Sequence, residues 1–380
     1  MGFFKNFFAS CLGSIAALVI VILLGGIIFS IVISSGNVVT VNDNTVLYLD
    51  LSAPVVEQAV DDPIAEMITG GQQSIGLLQL KETIAYAKND TKVKGIYLNT
   101  NFLIAGTSSI GEIRESLQDF KKSGKWVVAN APAYTESSYY LASVADKIYM
   151  NPTGQLELNG LAIEVMFFKG LLDKLEIRPE VFRVGDFKSA VEPFLRKNLS
   201  DENRLQLNDM INGIYDEMLE GISEARGIPV GELKTLSNKM TIRSAEEAVT
   251  HGLIDSLYYD DQVRDEMRSR LGLGKDEDIK FIRYNVYRKN ITPSTARDEI
   301  AVIIADGEIM PGKAGSGVVG ATTIVKELRK ARTNDNVKAI VLRVNSPGGV
   351  YQAGDEMWRE IVLATQEKPV IASMSDYAAS

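Results

Sequence analysis

The chain has 380 residues, with 40 Lys and Arg against 49 Asp and Glu, a formal net charge of −9, one Cys and one His. This excludes a disulfide framework and a cysteine-built metal centre, and the acidic sum opposes a protein that tracks nucleic-acid phosphates. With His251 the only imidazole, a hydrolase of this composition is expected to work without histidine.

The first predicted element is a membrane span over residues 12–33. No charged residue lies between Lys5 and Asp43, and the apolar run is long enough to cross ~30 Å of hydrocarbon as a helix. Lys5 and the amino terminus are the flanking positive charges, which keeps residues 1–11 cytoplasmic and places everything after Ser34 outside. A cleaved signal peptide is the alternative, with Ser34, Ser35 and Gly36 as a tolerant cleavage site, but its apolar core is usually about 7–15 residues. Cys11 precedes the apolar run, the wrong order for a lipoprotein signal, and reads as a small apolar residue. An exported body without disulfides suits a bacterium.

Beyond the span the chain repeats itself. Residues 45–50 (TVLYLD) match 300–305 (IAVIIA), and 89–98 (NDTKVKGIYL) match 334–342 (NDNVKAIVL). Residues 124–129 match 367–372, and Ala133-Tyr134 match Asp376-Tyr377; the offset is 244 early in the unit and 243 at its end. Helical patterns at 110–121 and 353–364 lie between apolar strands. Alternating β and α elements predict a parallel sheet covered by helices, present twice. Residues 41–287 form the first unit, including a helix-rich extension from Ser200 to about Arg283 with Gly227, Gly252 and Gly274 as stops. His251 sits at one such stop, a structural position favoured by the helix dipole. Residues 288–298 read as a linker, and 299–380 as a second, incomplete unit.

Two nucleotide-like motifs fail on inspection. Residues 307–314 lack the Ser or Thr that a phosphate loop needs after Lys313, and Pro311 removes an amide from the cradle. Residues 315–320 spell G-x-G-x-x-G, but the preceding strand ends ten residues too early, so a flexible glycine loop is expected. More informative is the strand at 340–344 running into Asn345-Ser346-Pro347-Gly348-Gly349 before a helix. Its glycines can expose backbone amides as an oxyanion hole, although Pro-Gly-Gly is also a generic turn. The first unit has Leu103, Ile104 and Ala105 at these places, which points to chemistry in the second unit alone. The chain's last residues, 374–380 (MSDYAAS), follow a strand where a helix is expected to begin. Ser380 there fits a nucleophile or an ordinary N-cap; its counterpart in the first unit is Glu136 or Ser137. With histidine nearly excluded as base, a lysine is the next candidate. Lys188 lies among apolar and aromatic residues, with Ser189 able to orient its amine, though it also reads as a surface lysine.

Residues 183–194 (RVGDFKSAVEPF), 343–350 (RVNSPGGV) and 374–380 together resemble the long, internally duplicated form of signal peptide peptidase A, the protease IV family. The middle motif is shared with Clp protease and crotonase folds, whereas the lysine motif is distinctive. The resemblance implies duplicated Clp protease/crotonase-like α/β units behind one membrane helix, on the outer side of a bacterial cytoplasmic membrane. It implies a Ser/Lys dyad with Ser380 as nucleophile, Lys188 as general base, and Gly348 and Gly349 as oxyanion donors, without metal or other cofactor. Implied partners are signal peptides and other apolar peptides, membrane lipid and further copies of the chain in a dome-like homo-oligomer, with neither nucleic acid nor nucleotide. In the family a glycine pair follows the nucleophile, whereas this chain stops at Ser380, so the 380-residue fragment is expected to have little or no activity. The competing readings are a noncatalytic membrane-anchored scaffold and a crotonase-type acyl-CoA enzyme, the latter disfavoured because an exported body meets little CoA.

Overall fold

The computed structural model describes residues 2–34, 40–59, 74–292, 294–315 and 317–379. Helix α1 (Gly2–Ser34) contains an apolar stretch, Lys5–Gly25, that is unburied and long enough to cross a membrane, a test that N-terminal signal sequences also pass.

The first unit is built on six parallel strands: β1 (Thr45–Asp50), β4 (Val93–Asn99), β5 (Trp126–Ala131), β6 (Lys147–Met150), β7 (Ser256–Leu257) and β8 (Lys280–Arg283). Their order is β7-β6-β5-β4-β1-β8. Val46, Leu47 and Leu49 of β1, with Ile96 and Leu98 of β4, are fully buried, because a parallel sheet is covered on both faces. One face packs on α2 (Leu77–Asn89), α3 (Thr107–Lys121) and α4 (Glu136–Ala142) through Leu80, Ile84, Ile113, Leu117, Phe120 and Tyr139. On the other, Val46, Tyr97, Val128 and Tyr149 meet Val263 and Met267 of the helix Asp260–Leu271. A short parallel pair, β2 (Val55–Val56) with β3 (Ile75–Gly76), precedes α2.

The second unit repeats this order with β9 (Glu299–Asp306), β10 (Glu308–Met310), β11 (Val318–Gly320), β12 (Val337–Ser346) and β13 (Val370–Ala378). Its sheet runs β13-β12-β9, and the helices Ala321–Thr333 and Tyr351–Thr365 bury Ile324, Leu328, Ala353 and Met357 against Ile303, Ala305 and Ile340. The central strands of the two units agree in register, whereas Leu47 beside Ile96 and Ala301 beside Ile340 stand 254 apart, one less than the 255 of the sequence match between 45–50 and 300–305. Ile96 pairs with Val127 in one sheet and Ile340 with Val370 in the other, which reproduces the offsets of 244 and 243.

The helix-rich stretch after Ser200 opens with a 26-residue helix, Asp201–Arg226, capped by the Ser200 side chain and closed by Gly227 at φ 69°. Ala245–Thr250 is a helix bounded by a Ser244/Glu247 capping box, and His251 ends it with its N–H on the Glu247 carbonyl at 2.9 Å. Three expectations need correction. The last helix of the stretch stops at Gly272 (φ 67°), two residues before Gly274, whose amide is instead taken by Glu277. The stretch also supplies two strands, and β8 returns to cover the outer edge of β1. Finally, residues 374–378 continue β13 as a strand where a helix start was expected, because β12 itself extends to Ser346 and pairs with Ala378.

Candidate active site

At the end of β12 the chain turns through Pro347, Gly348 and Gly349. Gly348 adopts φ 101°, a region that only glycine enters without strain. Strand β10 lies against the turn: Ile309 N–H donates to the Gly348 carbonyl at 2.9 Å, and Val350 N–H donates to the Ile309 carbonyl at 2.8 Å. A Cβ on Gly349 would stand 2.0 Å from the Ile309 carbonyl oxygen, so glycine is required for this approach. Gly349 is exposed, and its N–H has no acceptor among the described residues, whereas Gly348 N–H donates to the Ser346 hydroxyl at 3.1 Å. Ser346 in turn donates to the Gly307 carbonyl at 2.6 Å. Of the two expected oxyanion donors, one is open and the other is held by an adjacent hydroxyl.

The glycine loop is more ordered in purpose than expected. A Cβ on Gly307 would fall 2.2 Å from the Gly317 carbonyl oxygen, and one on Gly320 would fall 2.1 Å from the Lys313 carbonyl carbon. These glycines close β10 onto β11, and β10 then pins the Gly348–Gly349 turn. In the first unit Val55 N–H donates to the Ile104 carbonyl at 2.9 Å, the same bond made without glycine. The bond itself therefore does not need a glycine, whereas the close approach of Gly349 to Ile309 does.

Residues 377–379 run beside the turn. Ala379 N–H donates to the Ser346 carbonyl at 3.1 Å, and Tyr377 N–H donates to Asn345 Oδ1 at 3.1 Å. Asn345 is oriented by donating its Nδ2 to Asp306 at 2.8 Å; burial pushes the Asp306 carboxyl up, the Asn345 hydrogen bond opposes this, and the Glu57 charge adds to it. Ser380, the next residue, lies outside the described residues.

Upstream, Arg343 clamps the same strand and joins the two units. Its buried guanidinium makes a bidentate pair with Glu57 at 2.9 and 3.0 Å and reaches Glu112 at 2.6 Å. It also donates to the Ser373 hydroxyl at 3.0 Å, the Met374 carbonyl at 3.3 Å and the Ser375 hydroxyl at 2.8 Å. Glu112 additionally binds Lys81. Burial alone would lower the pKa of Arg343, but Glu57 and then Glu112 outweigh it and raise it. For Glu112, burial raises the pKa while Lys81 and Arg343 lower it further, so the net shift is downward. A carboxylate depressed on folding stabilises the protein above its unfolded value, about 4.3, and loses that contribution as pH falls through the lower folded value. The gap in melting temperature between the parent and Glu112→Gln is therefore expected to be wide at pH 7 and to shrink at pH 3. An equal gap at both pH values would refute this.

Lys188 sits elsewhere. It is exposed, and the residues expected to surround it face solvent themselves, with Phe182 97% and Val184 88% exposed. Among the described residues its surroundings are those of the surface lysine that the sequence also allowed. Its carbonyl accepts from Arg183 at 3.1 Å, while its Nζ makes no hydrogen bond or ion pair among the described residues, with Ser189 or with the second unit. Sequence reasoning missed Glu192, which is buried and accepts from Ser200 N–H at 3.1 Å and Asn203 Nδ2 at 2.9 Å, tying the lysine segment to the helix Asp201–Arg226. Its only sequence signal was a charged residue directly before Pro193.

Residues 119–274, a segment that includes Lys188, match the family model "Peptidase family S49". The chain is 35% identical over 315 residues to "Serine protease SPPA, chloroplastic" of Arabidopsis thaliana, covering 80% of this chain and 46% of that protein. It is 36% identical over 352 residues to "Protease 4" of Salmonella typhi, 88% of this chain and 57% of the relative. The chain belongs to peptidase family S49. A second "Protease 4", from Haemophilus influenzae, is 34% identical over 78% of this chain and 50% of its own length. The chain thus spans about half the length of these S49 relatives. By the repeat offset in the sequence, Glu136 or Ser137 of the first unit corresponds to Ser380. Glu136 accepts the backbone N–H groups of Asn159 at 2.9 Å and Gly160 at 2.7 Å, and burial pushes its carboxyl up against those bonds. Glu136 thus anchors the loop at residues 159–160. Among the described residues no group of three or more His, Cys, Asp or Glu side chains is placed to hold a metal.

Proposed function

We propose that the complete protein is a membrane-anchored serine endopeptidase in which residues 299–380 supply the nucleophile Ser380 and residues 41–287 supply the base Lys188. Its substrates are apolar peptides, cleaved signal peptides among them, on the extracytoplasmic side of a bacterial inner membrane. The observation that carries this reading is the exposed Gly349, whose amide has no acceptor among the described residues, beside the strand that leads to Ser380. Membership in S49 supports peptidase chemistry, and the α1 helix supports anchoring. In the proposed acylation the Ser380 hydroxyl oxygen bonds to the scissile carbonyl carbon while its proton passes to the unprotonated amine of Lys188. The Gly349 N–H, with that of Gly348 released from Ser346, holds the oxyanion; collapse expels the amine, which takes the proton from Lys188. Water then hydrolyses the acyl-enzyme by the same route. Exposed Ile163, Met166, Phe182, Val184 and Phe187 around the lysine segment suit apolar substrates.

A fluorophosphonate probe on the full-length protein tests the dyad. Ser380 is expected to be labelled in the parent, and Lys188→Ala to slow labelling at neutral pH by about 100-fold or more. A probe adduct that maps elsewhere, or an undiminished rate in Lys188→Ala, would remove this reading.

A further inference from the structure

We propose that Asp376 is a positioning residue for the nucleophile, acting across the junction between units; this rests on Ser380 being the nucleophile. Helix α3 of the first unit begins after Gly106, which offers no side chain to cap it, so its first-turn amides need an outside acceptor. Asp376 of the second unit provides one. Its Oδ1 accepts the Ser109 N–H at 3.1 Å and its Oδ2 accepts the Ser109 hydroxyl at 2.6 Å, while Ser108 Oγ donates to the neighbouring Ser375 carbonyl at 3.4 Å. A carboxylate is also favoured there by the helix dipole.

The approach is close enough to dictate the residue opposite. A Cβ on Gly106 would stand 2.0 Å from Asp376 Cγ, so glycine leaves the space that the carboxylate fills. The fold itself does not require this contact, because the matching position in the first unit is Ala133. Asp376 lies four residues before Ser380, in a strand held on its own side by Asn345 and Arg343. The segment leading to the nucleophile is therefore fixed from both units, and the far hold comes from the unit that carries Lys188. Asp376 makes the placement of the serine depend on the seating of the lysine-bearing unit.

The test uses the full-length protein, peptide hydrolysis, and fluorophosphonate labelling at a temperature where all variants are folded. Asp376→Ala is expected to lower kcat and the labelling rate by about 10–100-fold, the effect of a misplaced reacting group, with KM within about twofold. Asp376→Asn keeps an acceptor for Ser109 and is expected to recover part of that loss. Gly106→Ala, made in the other unit, is expected to give the same kcat defect in the parent and no further loss in Asp376→Ala, since the clash is then gone. If Ser380 is labelled normally and Asp376→Ala loses only melting temperature, or if the two substitutions add independently, the positioning role is refuted while the nucleophile stands. If Ser380 is never labelled in the parent, both fall together.

Discussion

Gly349→Ala is expected to lower kcat by about 10²–10³-fold, the range for losing one preorganised oxyanion donor. The added methyl meets the carbonyl oxygen of Ile309 at 2.0 Å and its carbon and nitrogen at 2.7 Å. All three are backbone atoms, so no side-chain rotation relieves the contact. Either β10 leaves the turn, breaking the bonds at Gly348 and Val350, or the turn rotates and the open amide changes direction. Both routes spoil the same donor. Gly354→Ala is the matched control: it lies inside the helix Tyr351–Thr365 with nothing within 4 Å of the new methyl. That variant is expected to retain activity and to gain about 0.5–1 kcal/mol in a urea melt. Parent-like turnover by Gly349→Ala would contradict the assignment of the turn.

The second large effect is expected at Arg343. Arg343→Ala leaves Glu57, 5% exposed, without its bidentate partner, and removes the donors that hold Ser373, Met374 and Ser375. Breaking one side of a buried pair costs about 3–5 kcal/mol, chiefly because the remaining charge stays buried. Arg343→Lys is expected to recover little, since an ammonium cannot serve both carboxylates and the strand with a planar fork. Replacing Arg343 and Glu57 together by methionine is expected to be milder than Arg343→Ala alone, which unfolding midpoints can read. A double variant as unstable as the sum of both single changes would mean that the pair is not the source of the loss.

Much of this architecture was legible because repetition is visible without geometry. The offset from KVKGI at 92–96 to NVKAI at 336–340 predicted two βα units, and paired registers at Ile96 and Ile340 bear it out. His251 at a helix end was legible because helix stops have local signatures. Short strands were not: β7 has two residues and β8 four, too few for an alternation to stand out from the surrounding helical composition. Nor was the Arg343–Glu57 pair, whose partners are 286 residues apart and belong to different repeats. Apolar residues flank Lys188 in the sequence, but composition does not say whether an apolar segment has anything to lie against, and Phe182 is 97% exposed. The glycine loop misled for a related reason: glycine marks close backbone approach, and here the approaching backbone is the protein's own.

The charge pair at the junction has a consequence for how such a gene can change. Duplicated segments commonly exchange sequence by recombination, and each exchange makes the halves more alike. Here Asn99 occupies in the first unit the place of Arg343, and Pro311 occupies in the second the place of Glu57. Two first halves joined together would set Glu57 against an amide, and two second halves would bury Arg343 against a proline. Each copy is now the other's obligate complement, a heterodimer written in one polypeptide, and homogenising its halves would cost the fold its joint.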